Sequence, residues 1–296
     1  MEESQKQEKG EKSTKRSNLF VRVVSSVVLL PLLIALIVFG SAAVWAGFLL
    51  VAAFLGGLEF MKMTNGEESS ATRVLSVVFA LIPSVLCYLF AGENAPFVNE
   101  YSWLVVIGGF SASIWCAFLF NCFRQRVIER VSRVITATLS CSCYVGLLFL
   151  FLALYKRDLG DSANAWIFTL MAMTWLSDTG AYFTGRAFGK HKLAPILSPK
   201  KTVEGALGGF AASLLAAFAA KFIAFPEMSS LWVVLLAVVA NFLAQMGDLS
   251  ESLIKRSCGV KDSGNIIPGH GGILDRVDAL IFSAPWVYLF AVVFTM

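Results

Sequence analysis

The chain has 296 residues, of which 57% are hydrophobic and only 15% are charged, and its mean hydropathy is +0.73. A soluble domain of this length cannot hide so much apolar surface, so the composition excludes a water-soluble globular protein and predicts an integral membrane protein. The formal net charge is only +4, and no basic stripe interleaved with aromatic residues lies outside the apolar segments, so nucleic acid is not an expected partner.

The N-terminal region is charged, and an apolar stretch of full membrane length follows it. A secretory signal peptide would combine a shorter charged region with a small-residue cleavage site after its apolar core. We therefore predict a disordered, charged cytosolic tail over residues 1–18 and a retained first helix. No large soluble insertion interrupts the rest, so residues 19–296 are predicted to form a single transmembrane domain.

Nine apolar stretches are long enough to cross a bilayer, which takes about 20 mostly apolar residues. They lie at about 19–39, 42–62, 72–91, 102–122, 134–154, 164–184, 203–225, 230–247 and 272–295. None alternates polar and apolar residues over its length, so the predicted fold class is all-α: a polytopic membrane protein of about nine helices. The six cysteines follow no metal-binding spacing and are interpreted as small apolar fillers.

Positive charges predict the orientation of these helices, because cytosolic loops of membrane proteins are enriched in Lys and Arg. With the N-terminus in the cytosol, nearly all cations between the spans fall on the cytosolic side, whereas the outer loop 92–101 contains two glutamates and no cation. The C-terminus is then expected outside. This orientation also brings the three polar stretches of the C-terminal half, 177–205, 247–262 and 262–278, to the cytosolic side.

The first polar stretch begins inside the sixth span with Asp178 and continues past Arg186 and Lys190. A carboxylate within a bilayer costs about 2.5–3.5 kcal/mol, so Asp178 needs a cation, a metal ion or water as a partner. The glycine spacing that follows does not match a Walker A loop. Any phosphate contact there is expected to come from lysine charges and exposed backbone N–H groups.

A Ser-Pro-Lys-Lys-Thr segment precedes the seventh span. Ser198 or Thr202 is expected to cap the helix that follows, and Glu204 suits the positive end of that helix. The same helix N-terminus, with Lys200 and Lys201 beside it, is also a ready anion site. The capping role and the anion-binding role are compatible, and the sequence leaves both open.

Carboxylates also follow the eighth span. Asp248 and Glu251 are three residues apart, so a continuing helix would place them on one face. Glu251 is able to form a surface ion pair with Lys255, while the deeper position of Asp248 favours a metal ligand. In the N-terminal half, Glu59 is expected to pair with Lys62, three residues later.

The longest polar run extends from Ser252 to Asp278, SLIKRSCGVKDSGNIIPGHGGILDRVD. Its charged residues and histidine are Lys255, Arg256, Lys261, Asp262, His270, Asp275, Arg276 and Asp278. The glycines after His270 give a flexible approach to a helix that begins near Ile273, which puts Asp275 and Asp278 one turn apart on one face. His270 is either a structural hydrogen-bonding group or a catalyst, and Arg276 pairs either with Asp278 or with a lipid phosphate.

Carboxylate oxygens from several helix ends suit Mg²⁺, and the surrounding cations suit a polyphosphate. This combination at a membrane border predicts phosphoryl or nucleotidyl transfer to a lipid. A cation-coupled transporter, with Asp178, Asp248 and Asp275 as ion sites, is the alternative from another class. Transporter sites lie near the bilayer midplane, whereas these polar residues cluster toward one face, which disfavours the transporter.

The spacing S-x-I-K-R, K-D-x-G, P-x-H-G-G-x-x-D-R-x-D within residues 252–278 resembles the signature of the phosphatidate cytidylyltransferase (CDP-diacylglycerol synthase) family, and so do the SDTGAYF and SPKKT stretches. The resemblance covers about residues 174–278, which would form the catalytic part. It implies the reaction of CTP with phosphatidate to give CDP-diacylglycerol and pyrophosphate. It also implies Mg²⁺, a monovalent cation such as K⁺, and a homodimer, with the active site facing the cytosol at a bacterial inner membrane.

The resemblance places the metal ligands at Asp248 and Asp275. In the predicted mechanism, a phosphatidate oxygen attacks the α-phosphorus of CTP while Mg²⁺ neutralises the pyrophosphate. A CTP-dependent lipid kinase, which would direct the attack to the γ-phosphorus, remains an alternative. The remaining predicted catalytic residues are Asp178, Lys200, Lys201, Lys255, Arg256, Lys261, His270, Arg276 and Asp278. The predicted substrate-binding residues are Arg186, Lys190, Ser198, Thr202 and Glu204.

Overall fold

The structure is a computed structural model that describes residues 24–97, 101–124, 128–267 and 269–295. The predicted tail over residues 1–18 lies outside the described residues. The helices are α1 Val24–Phe39, α2 Ala42–Thr64, α3 Ser70–Phe90, α4 Ser102–Arg124, α5 Ile128–Cys141, α6 Leu148–Asp158, α7 Ala163–Phe188, α8 Val203–Ala224, α9 Ser230–Ser257 and α10 Leu274–Thr295. A π-helical turn, Ser142–Leu147, joins α5 to α6, and a 3₁₀ turn, Gly160–Ser162, precedes α7.

Seven helical stretches of the described chain are long and apolar enough to cross a membrane. They are Ala42–Thr64, Ser70–Phe90, Ser102–Phe123, Ile128–Asp158, Val203–Ala224, Ser230–Ser257 and Leu274–Thr295. The predicted all-α polytopic membrane fold is therefore confirmed. The predicted span 164–184 is a helix of ample length, α7, but its second half is polar, and α1 is shorter over its described residues. The total of nine spans and the cytosolic N-terminus stay predictions.

Serine side chains mark several helix starts. The Oγ atom of Ser41 accepts a hydrogen bond from the N–H of Val44 at 3.3 Å, and that of Ser229 accepts one from Trp232 at 3.4 Å. Each satisfies a backbone donor that the first turn of a helix leaves without a partner. The Gly40–Ser41 turn predicted between the first two spans is confirmed.

The helix α6 lies in the core and connects the two halves of the chain. Its Tyr155 is fully buried and donates from Oη to the carbonyl oxygen of Ala284 in α10 at 2.9 Å. Trp45 of α2 donates from Nε1 to the carbonyl oxygen of Leu152 at 2.8 Å. Lipid tails are as apolar as these side chains, so interhelical hydrogen bonds and close packing stabilise such contacts. Through α6, the N-terminal helix α2 and the C-terminal helix α10 belong to one bundle.

Small residues let α7 and α8 approach each other closely. A Cβ atom built at Gly180 of α7 would lie only 2.6 Å from the Cβ atom of Ala212 in α8. Asn241 of α9 donates from Nδ2 to Oγ of Ser177 in α7 at 2.6 Å. Small interfacial residues with polar cross-links are typical of helix association in membranes. These three helices carry most of the polar stretches singled out in the sequence.

A short antiparallel hairpin, β1 Lys192–Ala194 and β2 Ser198–Thr202, lies between α7 and α8. Among the described residues, this hairpin is the two-stranded sheet of an otherwise mostly helical chain. Lys192 is opposite Thr202, and Thr202 also caps α8, because its Oγ1 atom accepts the N–H of Gly205 at 3.1 Å. Of the two predicted caps, Thr202 is therefore the correct one. The hairpin places Lys200 and Lys201 just before the N-terminus of α8.

Candidate active site

The C-terminal ends of α7 and α9 and the N-terminal ends of α8 and α10 form one end of the bundle, here called the polar end. A glycine sets the contact between α9 and α10 there. A Cβ atom built at Gly247 would lie 2.5 Å from the carbonyl oxygen of Asp278 and 2.8 Å from the Cβ atom of Phe282. Since α9 continues to Ser257, Asp248 and Glu251 lie one turn apart on a single helix, as predicted.

Four carboxylates from these two antiparallel helices form the acidic cluster: Asp248, Glu251, Asp275 and Asp278. Asp278 interacts electrostatically with Asp248, and Glu251 interacts with both Asp275 and Asp278. The hydroxyl of Tyr144, in the π-helical turn, lies within the electrostatic field of all four. Like charges held close together in a partly buried site repel one another, so the cluster needs cations from the protein or from a ligand.

Lys255 supplies one of these cations. Its Nζ atom pairs with Glu251 and also with Oδ1 of Asp275 at 2.6 Å. The side chains are 12%, 2% and 6% exposed for Lys255, Glu251 and Asp275. The pairing of Glu251 with Lys255 that the sequence left open is confirmed, but the pair is nearly buried and not at the surface. The close approach of α10 covers it, a contact that the spacing along α9 alone does not reveal.

Asp275 is held on its other oxygen by backbone and side-chain donors. Its Oδ2 atom accepts from the N–H and the Oγ of Ser263 and from the N–H of Gly272, each at 2.9 Å. Gly271 makes the turn with φ +89°, a backbone conformation that L side chains rarely adopt. The described residues 263–267 and 269–272, here called the Asp275 loop, therefore hold the carboxylate of Asp275 through Ser263 and Gly272.

A glutamate of α2, which is predicted to pair with Lys62, instead contacts this loop and the start of α10. Glu59 of α2 is 4% exposed and accepts hydrogen bonds from the N–H groups of Ile273 and Leu274 at 3.0 and 3.1 Å and from Oγ of Ser263 at 3.2 Å. The predicted Glu59–Lys62 pair is wrong, since both Glu59 oxygens point to the start of α10 and Lys62 is exposed. A carboxylate in an apolar span was the available signal, because such a group needs a partner.

A second group of charges adjoins the acidic cluster from α7 and the hairpin. Lys201 forms an ion pair with Asp248, and the two side chains are 30% and 32% exposed. Asp178 interacts electrostatically with Asp248, Lys201 and Arg276. In the structure Asp178 is exposed, and α7 continues beyond it to Phe188. Of the three partners that the sequence leaves open for Asp178, a cation is therefore provided by two neighbouring elements, β2 and α10.

The loop after α7 is fixed by Glu204. The carboxylate of Glu204 accepts hydrogen bonds from the backbone N–H of Lys190 at 3.0 Å and from that of His191 at 3.2 Å. It also lies 2.6 Å from Nδ1 of the His191 ring. These backbone N–H groups are thus occupied, and the expectation that they are exposed for a phosphate is wrong. A pattern of glycines and lysines does not reveal that a carboxylate fourteen residues later closes the loop. Arg186 is exposed and donates to Oη of Tyr182 at 3.2 Å.

Six predicted basic residues lie on the elements and loops of the polar end with their side chains exposed. They are Arg186, Lys190, Lys200, Arg256, Lys261 and Arg276. Arg256 donates to the carbonyl oxygen of Val260 at 3.1 Å, which helps to close the turn after α9. Exposed cations around buried carboxylates suit an anionic ligand that binds together with a cation. The substrate-binding roles of this set, and those of Ser198, Thr202 and Glu204, stay predictions.

His270, in the Asp275 loop, contacts the start of α1. Its Nδ1 atom is 3.0 Å from Oγ of Ser25, and its Nε2 atom is 3.3 Å from Oγ of Ser26. Both ring nitrogens therefore have hydroxyl partners, which agrees with the structural alternative left open for this histidine. Its catalytic role stays a prediction.

The donor set fits a metal ion that is shared with a substrate. In the described residues, no group of three or more His, Cys, Asp or Glu side chains forms a ready metal cage. Mg²⁺ is usually held by one or two carboxylates, substrate phosphates and water rather than by a cage made only of protein. The Oε1 atom of Glu251 is buried and has no hydrogen-bond partner among the described residues. Such a buried oxygen suits a metal-bound water.

Comparison with known proteins identifies the family. The profile of the cytidylyltransferase family matches residues 20–294, almost the whole chain. The chain belongs to this family. It is therefore a nucleotidyltransferase embedded in a membrane, and the match extends through the N-terminal helices as well as the polar end.

Individual relatives carry a more specific name. The phosphatidate cytidylyltransferase of Staphylococcus saprophyticus is 33% identical over 264 residues, which cover 86% of this chain and 95% of that protein. The one of Brucella suis is 33% identical over 288 residues, covering 94% and 95%. With the enzyme of Bacillus subtilis, the identity is 40% over 152 residues, 51% of this chain and 56% of that protein.

Proposed function

We propose that this cytidylyltransferase transfers CMP from CTP to phosphatidate and releases pyrophosphate, which yields CDP-diacylglycerol for phospholipid synthesis. The observation that carries the proposal is the polar end itself. There, helices α7, α9 and α10 and the hairpin bring acidic and basic side chains together in a membrane protein of the cytidylyltransferase family. A charged nucleotide and the headgroup of a lipid are able to meet at such a border.

The reaction needs no nucleophile from the protein. A phosphate oxygen of phosphatidate is already an anion, and it forms a bond to the α-phosphorus of CTP as the bond to the β-phosphate oxygen breaks. The electron pair of that bond leaves with pyrophosphate. Catalysis then consists of positioning the two substrates and stabilising the negative charge that builds on the leaving group.

Asp248 and Asp275 would hold Mg²⁺, which would neutralise charge on the triphosphate. Each of these aspartates is paired with a lysine, Lys201 and Lys255 respectively. With Mg²⁺ on these carboxylates, Lys201 and Lys255 would be available to bind phosphate oxygens of the substrate. Asp278, one helical turn after Asp275 and in the electrostatic field of Asp248, would add to the attraction for the cation. The monovalent cation implied by the resemblance stays a prediction.

The setting of the reaction is also part of the proposal. We expect the polar end to face the cytosol of a bacterial cell, at the inner membrane, because the Lys and Arg residues between the helices concentrate there. Anionic lipids of the cytosolic leaflet would then lie next to the exposed basic residues. The homodimer implied by the resemblance belongs to this proposal.

The test is to incubate the purified protein with phosphatidate, Mg²⁺ and CTP labelled at the α-phosphorus, and to identify both products. Labelled CDP-diacylglycerol together with unlabelled pyrophosphate supports the proposal. Labelled CDP, together with a lipid that has received the γ-phosphate of CTP, would instead identify a lipid kinase. Cation uptake into vesicles that contain the protein, without any lipid product, would identify a transporter.

Matched variants test the metal ligands. Asp248→Asn and Asp275→Asn are each expected to abolish CMP transfer while the protein still inserts into membranes. Asp161→Asn, the same chemical change in the exposed turn at the opposite end of α7, is the control and is expected to retain activity. Near-normal turnover of either site variant at saturating Mg²⁺ would refute the metal assignment.

A further inference from the structure

Glu59 lies in the N-terminal half of the chain, yet both of its oxygens contact the catalytic part. One oxygen accepts the N–H of Ile273, and the other accepts the N–H of Leu274 and the hydroxyl of Ser263. These N–H groups belong to the start of α10, where a helix lacks internal partners for its first donors. A carboxylate at this end also interacts favourably with the helix dipole.

Two glycines of the Asp275 loop approach this carboxylate closely. A Cβ atom built at Gly264 would lie 2.4 Å from Oε1 of Glu59, and one built at Gly272 would lie 2.6 Å from both oxygens. Glycine therefore lies on both sides of the Glu59 carboxylate, and neither position has room for a side chain. Such close approach fixes the distance between α2 and the start of α10.

Ser263 links Glu59 to the predicted metal ligand. Its hydroxyl oxygen is 3.2 Å from Oε2 of Glu59 and 2.9 Å from Oδ2 of Asp275. A hydroxyl has a single proton, so the two carboxylates share one donor. The N–H of Gly272 also donates to Asp275, and the next two residues, Ile273 and Leu274, donate to Glu59. Displacement of Glu59 would therefore move donors of Asp275.

We propose that Glu59 is a positioning residue that orients Asp275 through Ser263 and the first turn of α10. Glu59 holds the Ser263 hydroxyl and the N–H groups of Ile273 and Leu274, which follow Gly272. Ser263 and Gly272 in turn hold Oδ2 of Asp275, while Oδ1 contacts Lys255 in the acidic cluster. The N-terminal half of the chain thus contributes to the active site without touching a substrate. This inference rests on the proposed function, in which Asp275 binds Mg²⁺.

The experiment compares Glu59→Gln with Trp45→Phe in the purified, full-length protein. Trp45 lies on the same helix, is 4% exposed and also makes an interhelical hydrogen bond, but it contacts α6. The readouts are the apparent Tm in detergent as MgCl₂ is titrated and the Mg²⁺ dependence of CMP transfer. Both variants are expected to lower Tm in the absence of Mg²⁺.

Only Glu59→Gln is expected to change the response to Mg²⁺. We expect the Mg²⁺ concentration for half-maximal stabilisation and for half-maximal activity to rise about tenfold, as for the loss of one charge-assisted hydrogen bond. Glu59→Asp keeps the charge on a shorter side chain and is expected to give an intermediate shift. If Glu59→Gln lowers Tm but leaves both Mg²⁺ dependences at their wild-type values, Glu59 only caps the helix and the proposal is overturned.

Ser263→Ala keeps the test decisive if Glu59→Gln does not accumulate. It removes the shared hydroxyl and leaves the two N–H bonds to Glu59, so we expect a smaller shift in the same direction; no shift in this variant would likewise overturn the proposal. Failure of the proposed function is distinguishable, because wild-type protein would then show neither CMP transfer nor stabilisation by Mg²⁺. Such a result would remove the metal from Asp275 and overturn the positioning role with it.

Discussion

Replacement of Lys255 by methionine tests the charge balance of the acidic cluster. Lys255 is in direct contact with both Glu251 and Asp275, and the three side chains are 12%, 2% and 6% exposed. They bring one ammonium group and two carboxyl groups together. Lys255→Met leaves two nearly buried carboxylates facing each other without a counter-ion.

The expected loss of stability is large. Removal of one partner from a buried ion pair costs about 3–5 kcal/mol, because the remaining charge is buried and uncompensated. At about 2–4 °C per kcal/mol, this corresponds to a fall in apparent Tm of roughly 6–20 °C. Lys62→Met, at an exposed position near the end of α2, is the control and is expected to change stability by less than about 0.5 kcal/mol.

A second substitution should recover part of the stability but not the activity. Glu251→Gln in the Lys255→Met background removes one of the two uncompensated charges, while Asp275 keeps its donors from Ser263 and Gly272. The assay is thermal unfolding in detergent, followed by tryptophan fluorescence, together with CMP transfer. A Lys255→Met protein with wild-type Tm, or a double variant no more stable than Lys255→Met, would show that the cluster does not depend on this lysine.

Three further predictions concern packing, a buried hydroxyl and orientation. Gly247→Ala should lower stability by about 1–3 kcal/mol and reduce CMP transfer, because its Cβ atom would overlap the Asp278 carbonyl; Gly47→Ala, where nothing lies within 4 Å, is the control, and equal effects would contradict the packing argument. Tyr144→Phe should leave Tm unchanged or raised, since the buried hydroxyl has no hydrogen-bond partner among the described residues; a fall equivalent to about 1 kcal/mol or more would reveal a partner. Lys261 should react with a membrane-impermeant amine reagent in sealed inside-out vesicles, as read by peptide mass spectrometry, and its protection would overturn the predicted orientation.

The local devices of the fold could be predicted from short stretches of sequence. The turn at Gly40–Ser41, the cap at Thr202 and the start of α10 within one residue of Ile273 all follow from residues adjacent in the chain. The pairing of Glu251 with Lys255 is also local, since it joins neighbouring turns of one helix. These features depend on backbone geometry that a few consecutive residues decide.

The partners of Glu59 and Glu204 could not be predicted in the same way. Glu59 contacts residues more than two hundred positions away in the chain. Glu204 accepts hydrogen bonds from backbone N–H groups that the sequence predicts to be exposed for a phosphate. The burial of the Glu251–Lys255 pair likewise depends on α10, which packs close to α9 because Gly247 has no side chain. In each case the neighbour comes from another helix, so spacing along one element contains no information about it.

The sequence by itself determined that the chain lies in a lipid bilayer, that its fold is helical and which class of reaction it catalyses. Apolar stretches of bilayer length can only be helices, because backbone groups in lipid must find their partners within the segment. The polar run from Ser252 to Asp278 indicated the family, and its residue types predict binding of phosphate and a cation. Only the tertiary structure decided which charges meet, since lipid-embedded helices associate through close contacts and single hydrogen bonds rather than through a general apolar force. Those contacts join α2 to α10 at Glu59 and α9 to α10 at Gly247, and they place the acidic cluster where the two halves of the chain come together.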